Sequence, residues 1–108
     1  MQGLRTGLCG QKEMRVEEKD LSSFTGNIGA KVLSTHCLVL LVELASRSVV
    51  EKLLGEGQMV VGTWIGIRHL AAVPLGLKVR AESTLREIEG RKGRIDRCRE
   101  YAYDGHIV

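Results

Sequence analysis

Residues 36–54 read as one helix whose first half, HCLVLLVELA, is apolar on every side except at Glu43. Ser34 and Thr35 precede it with N-capping hydroxyls, and Gly55 follows it as a natural C′ residue. The second half turns amphipathic, with Val49, Val50 and Leu53 against Arg47, Glu51 and Lys52. A helix that is apolar all round has to be enclosed on more than one side. The chain has 108 residues, enough for one domain near the lower end of sizes that bury their own core. It contains no second helix of comparable quality. A curved sheet must therefore do the wrapping.

The remaining periodicities supply that sheet. Residues 12–18 alternate weakly, with Met14 and Val16 on one side, and suggest a first strand. Residues 20–31, rich in Ser, Gly and Asn, read as a loop. Residues 59–70 alternate, with Val61, Thr63, Ile65, Ile67 and His69 on the face predicted to point inward. A turn over 71–76 contains the only proline, Pro74. In 77–88, Leu77, Val79, Ala81, Ser83 and Leu85 alternate with Lys78, Arg80, Glu82, Thr84 and Arg86, a half-buried strand with a solvated face. Glu89-Gly90-Arg91-Lys92 reads as a hairpin turn, and 93–103 as a further strand with poor alternation. Strand, long helix and then antiparallel strands make a single α+β domain over 1–108, its helix packed on one sheet.

Composition narrows the partners. Hydrophobic residues at 44% and charged residues at 27% are ordinary for a globular domain rather than a disordered chain. The formal charge is only +3 and the basic residues are interleaved with acids, so neither nucleic acid nor a membrane surface is expected as a partner. Four aromatic residues make no stacking platform for single strands. Cys9, Cys37 and Cys98 are odd in number and far apart, which predicts reduced thiols and neither a disulfide framework nor a zinc site. The N-terminal residues hold no signal-peptide core, and the longest apolar run, 37–42, is too short to span a bilayer. A soluble, cytoplasmic protein is the expectation.

Four residues are candidates for chemistry. Glu43 follows Val39 and Leu40 by one turn; buried, it would lose solvation and suit general-base work, and at the surface it would pair with Arg47 for a few tenths of a kcal/mol. His69 continues the face of Ile65 and Ile67, as a core histidine or as a base or donor. Thr35 sits at the helix N-terminus, as a cap or as a group near developing negative charge. Gly62, inside a predicted strand, points to close approach by a ligand or another backbone. Gly55-Glu56-Gly57 lacks the spacing of a phosphate loop and reads as a helix-ending turn.

Several of these pieces recur together. Val32-Leu33-Ser34-Thr35, the helix with Glu43, Val61-Gly62-Thr63 leading to Ile67-Arg68-His69-Leu70-Ala71, then Pro74-Leu75-Gly76 and Glu89-Gly90-Arg91-Lys92 resemble the fluoroacetyl-CoA thioesterase-like family over residues 8–92. The resemblance implies a hotdog fold, one long helix wrapped by an antiparallel sheet, with two protomers joined as a homodimer or a dimer of dimers. It implies Thr35, Glu43 and His69 as the catalytic set, Gly62 against the substrate thioester, and hydrolysis of a short acyl-CoA; no cofactor or metal is expected. The alternative is a non-catalytic hotdog domain that binds an acyl-CoA or CoA group. Eight residues of helix rise about 12 Å, so Thr35 reaches Glu43 only from a turn that folds back; otherwise the two touch different parts of the substrate, or meet across a dimer.

The sequence also departs from the family. The resemblance implies a last strand with a Gly-Glu-Gly-Thr-His-like segment, whereas this sequence ends at His106-Ile107-Val108, and 93–103 match poorly. An unpaired sheet edge is the expected consequence. Residues 20–31 do not resemble the segment that selects fluoroacetate, so that specificity is not implied.

Overall fold

The computed structural model describes residues 3–90 and 92–102, with side chains through residue 90. Three antiparallel strands, β1 (Cys9–Arg15), β2 (Lys78–Glu89) and β3 (Lys92–Ala102), form one sheet in that order, and helix α1 (Thr35–Val50) packs against it. Cys9 pairs with Thr84 and Arg15 with Lys78, while β2 and β3 close a hairpin at Glu89 and Lys92 around Gly90, whose φ is +59°. The expected alternation of 77–88 holds: Val79, Ala81, Ser83 and Leu85 are buried under the helix. Their counterparts on α1 are Leu38, Leu41, Val42, Ala45 and Val49, a stripe at helical spacing.

Gly10 sets how closely helix and sheet approach. A β-carbon there would lie 2.8 Å from the Ala45 carbonyl oxygen and 2.9 Å from the Val49 nitrogen, and closer still to Ser48 Oγ. Helix backbone thus rests directly on strand backbone, which only a glycine in β1 permits.

The ends of α1 follow from local chemistry. Ser34 is the cap, in extended backbone (φ −73°, ψ 149°), and its Oγ accepts from the Cys37 N–H at 3.4 Å. Ser34→Ala should lower unfolding free energy by about 1 kcal/mol, seen as a shifted urea midpoint at unchanged slope. The helix stops sooner than expected: it leaves α geometry after Val50, and Glu51–Leu53 wind as a 3-10 turn before Gly55. The final turn tightens, as helix ends commonly do. Residues 20–31 are irregular as expected, built from the 3-10 turns Glu18–Asp20 and Ser22–Thr25.

The main correction concerns 59–70, expected as a strand and observed as irregular, extended chain. Among the described residues, no backbone hydrogen bond joins 59–72 to another segment. A strand is defined by the ladder it makes, and alternation alone cannot provide one. Its predicted inward face fails accordingly: Val61 and Ile65 are exposed, and only Ile67 and His69 toward the end are half-buried. Met59, Trp64 and Leu70 are exposed too, Trp64 at 85%. Leu40 on α1 is 54% exposed, so within one chain the helix is not enclosed on every side.

Candidate active site

Thr35 and His69 are brought together by the chain that flanks them. Leu33 N–H donates to the Val73 carbonyl at 2.8 Å, and Val32 bridges Pro74, so the residues before α1 are tied to those after His69. Thr35 Oγ1 and His69 Nδ1 then lie 3.0 Å apart, a hydrogen bond across 34 positions of sequence. Thr35 is therefore not the cap; Ser34 takes that role and leaves the Thr35 hydroxyl to the histidine. His69 Nε2 is buried and, among the described residues, has no hydrogen-bond partner. An unsatisfied buried nitrogen costs about 1–3 kcal/mol, a cost that chemistry at the site can justify.

Glu43 stands two turns further along α1. It is exposed, and among the described residues it has no ion-pair partner, so neither the buried acid nor the Arg47 pair is what a single chain contains. Its carboxylate instead faces Gly62: a β-carbon at 62 would lie 3.7 Å from Glu43 Oε1. That is ordinary contact, so the glycine is not demanded by neighbouring backbone; it keeps space open beside the carboxylate. The four candidates thus form two pairs, Thr35–His69 and Glu43–Gly62, separated by the rise of eight helical residues, about 12 Å. Helical side chains lean toward the N-terminus, so Glu43 reaches back along the helix toward the threonine–histidine pair.

Thr35 and His69 line an open recess of about 320 Å³, whose other side is lined by Ser22, Asn27 and Ala30. Sequence reasoning placed those three residues only in a loop. Their facing depends on Ser22 N–H donating to the Val32 carbonyl at 2.8 Å, a contact with no local signal. Among the described residues no cluster of His, Cys, Asp and Glu suits a metal ion, and no helix is long and apolar enough to cross a membrane. Cys9 and Cys37 are free thiols, and the Cys98 side chain lies outside the described residues.

The chain is similar in sequence and fold to known proteins. A family model for the fluoroacetyl-CoA-specific thioesterase FlK matches residues 16–104. A Thermus thermophilus thioesterase superfamily member superposes with a TM-score of 0.89 at 26% identity, over 100% of this chain and 79% of that one. A variant of FlK superposes at 0.81 with 28% identity, over 97% of this chain and 80% of that one. A hot-dog-like protein from Thermanaerovibrio acidaminovorans, 19% identical over 94% of this chain and 75% of that one, shares the fold with a TM-score of 0.82. No curated protein matches the sequence. With one long helix packed on an antiparallel sheet and a family match from residue 16 to residue 104, this chain belongs to the fluoroacetyl-CoA-specific thioesterase family and has the hotdog fold.

Proposed function

We propose that the protein hydrolyses a short acyl-CoA thioester to the free acid and CoA, using Thr35, Glu43 and His69. The observation that carries this reading is the Thr35–His69 bond at 3.0 Å beside a buried Nε2 that has no partner among the described residues. With the Thr35 hydroxyl donating to Nδ1, a neutral ring holds its proton on Nε2 and offers it to the thioester carbonyl. Glu43, carrying no counter-ion, acts on the carbonyl carbon directly or through a water, and Gly62 leaves room for the thioester beside it. A direct attack leaves a mixed anhydride on Glu43 that a water then hydrolyses; on either route the C–S bond breaks, the CoA thiolate takes up a proton, and the acid is released. A threonine-to-serine variant of FlK has been crystallised with acetyl-CoA, which supports the ligand class.

A free-thiol assay over acetyl-, propionyl- and longer acyl-CoAs tests the reading. Turnover that falls in the Glu43 and His69 variants is expected. No turnover with saturable CoA binding would instead make this a binding module, and turnover that survives both substitutions would place the chemistry elsewhere.

The working unit in this proposal is a homodimer joined along 59–70. Its extended backbone without described partners and its exposed Met59, Val61 and Trp64 form an apolar edge adjoining Glu43. Such edges seek pairing. Trp64→Glu should convert a dimer into a monomer in sedimentation and lower kcat/KM by at least about tenfold. A wild type that sediments as a monomer while turning over normally would refute the pairing.

A further inference from the structure

The recess beside Thr35 and His69 has a polar far wall. Ser22 and Asn27 stand on a loop fastened by Ser22 N–H to the Val32 carbonyl (2.8 Å) and Ser23 N–H to the Ala30 carbonyl (2.9 Å). The loop's bends are held by Gly26 and Gly29 in left-handed conformations, φ +101° and +86°. The Asn27 side-chain amide donates to Ser22 Oγ at 3.0 Å. That bond uses one N–H of Asn27 and one lone pair of Ser22. Among the described residues it leaves the Ser22 hydroxyl proton and the Asn27 carbonyl oxygen without a protein partner, one donor and one acceptor side by side.

We infer that this recess receives the acyl group and selects a short hydroxyacyl thioester over a plain alkyl one, an inference that rests on the acyl-CoA reading above. A hydroxyl both donates and accepts, so it satisfies Asn27 Oδ1 and the Ser22 O–H together. A methyl group in the same place removes water from both and returns no bond. A carboxylate only accepts, and sets its charge against the Asn27 oxygen. Because Asn27 is exposed and Ser22 half-buried, the pair is worth about tenfold in discrimination rather than the far larger factor of a sealed site.

The test compares 3-hydroxybutyryl-CoA with its near-isostere 3-methylbutyryl-CoA in the wild type and in Asn27→Leu, Ser22→Ala and Asn27→Asp. The wild type is expected to favour the hydroxy ester in kcat/KM by about tenfold. The ratio should collapse toward one in Asn27→Leu, and fall in Ser22→Ala and in Asn27→Asp, whose acceptor-only carboxylate takes up the Ser22 O–H. Equal rates in the wild type, or a ratio unmoved by Asn27→Leu at unchanged thermal stability, would overturn the inference. Calorimetric binding of the two ketone analogues, with a methylene in place of the thioester sulfur, reads the recess without turnover. If neither ester is hydrolysed but the hydroxy ketone binds more tightly and Asn27→Leu abolishes the difference, the recess assignment stands and the hydrolytic reading fails. Binding of both ketones without preference sinks the recess assignment itself.

Discussion

Glu43→Gln should lower kcat/KM for short acyl-CoA by about 10³-fold while leaving the protein folded. The substitution keeps the shape of the side chain and removes only the charge and the basic oxygen. Glu43 is exposed and has no ion-pair partner among the described residues, so its contribution to stability should lie within about 0.5 kcal/mol. A collapse in rate at constant melting temperature would therefore report chemistry and not unfolding. Thr35→Ala should cost less, about ten- to a hundredfold, because it removes the group that orients His69 rather than one that meets the carbon undergoing attack. An activity retained within twofold in Glu43→Gln would remove the carboxylate from the mechanism.

The largest structural effect is expected from Gly10→Val. Its β-carbon would enter the space held by the Ala45 carbonyl, the Val49 nitrogen and the Ser48 hydroxyl. Two of those three atoms are helix backbone and cannot turn aside as a side chain can. Relief requires lifting α1 from β1, which uncovers core around Ala45 and Val49. We expect a loss of at least about 3 kcal/mol, a large part of the 5–15 kcal/mol that holds a typical domain together. Chemical denaturation followed by circular dichroism measures it, with the exposed neighbour Gln11→Ala as a control expected to move stability by less than about 0.5 kcal/mol. A midpoint for Gly10→Val that matches the control would mean the helix and strand can separate there at no cost.

The helix and the β2 strand were legible because each buries one regular face. In β2, Val79, Ala81, Ser83 and Leu85 alternate and are buried as their periodicity requires, whereas the helix, apolar all round at its start, buries Leu38, Leu41 and Ala45 and leaves Leu40 exposed. Residues 59–70 alternate just as clearly and are not a strand, since pairing depends on a neighbour that periodicity does not reveal. Gly10 passed unnoticed for a related reason. It lies before the stretch that looked strand-like, and its role depends on a helix 35 positions away in sequence.

Thr35, Glu43, His69 and Gly62 were picked out by residue type, by the out-of-place carboxylate, and by a family resemblance. Sequence alone determined an apolar helix, an alternating strand and the order of the elements, because these rest on local spacing and on the cost of exposing apolar surface. Only the tertiary structure decided that Ser34 rather than Thr35 caps the helix. It likewise decided that Thr35 meets His69, that Glu43 faces Gly62, and that Ser22 and Asn27 line the recess. The Thr35–His69 meeting and the recess depend on hydrogen bonds that join separate segments, such as Leu33 to Val73 and Ser22 to Val32, whereas the Ser34 cap is a local bond and Glu43 meets Gly62 by packing alone. Long-range pairing of backbone groups follows from the whole chain finding one compact arrangement, and no window of sequence contains it.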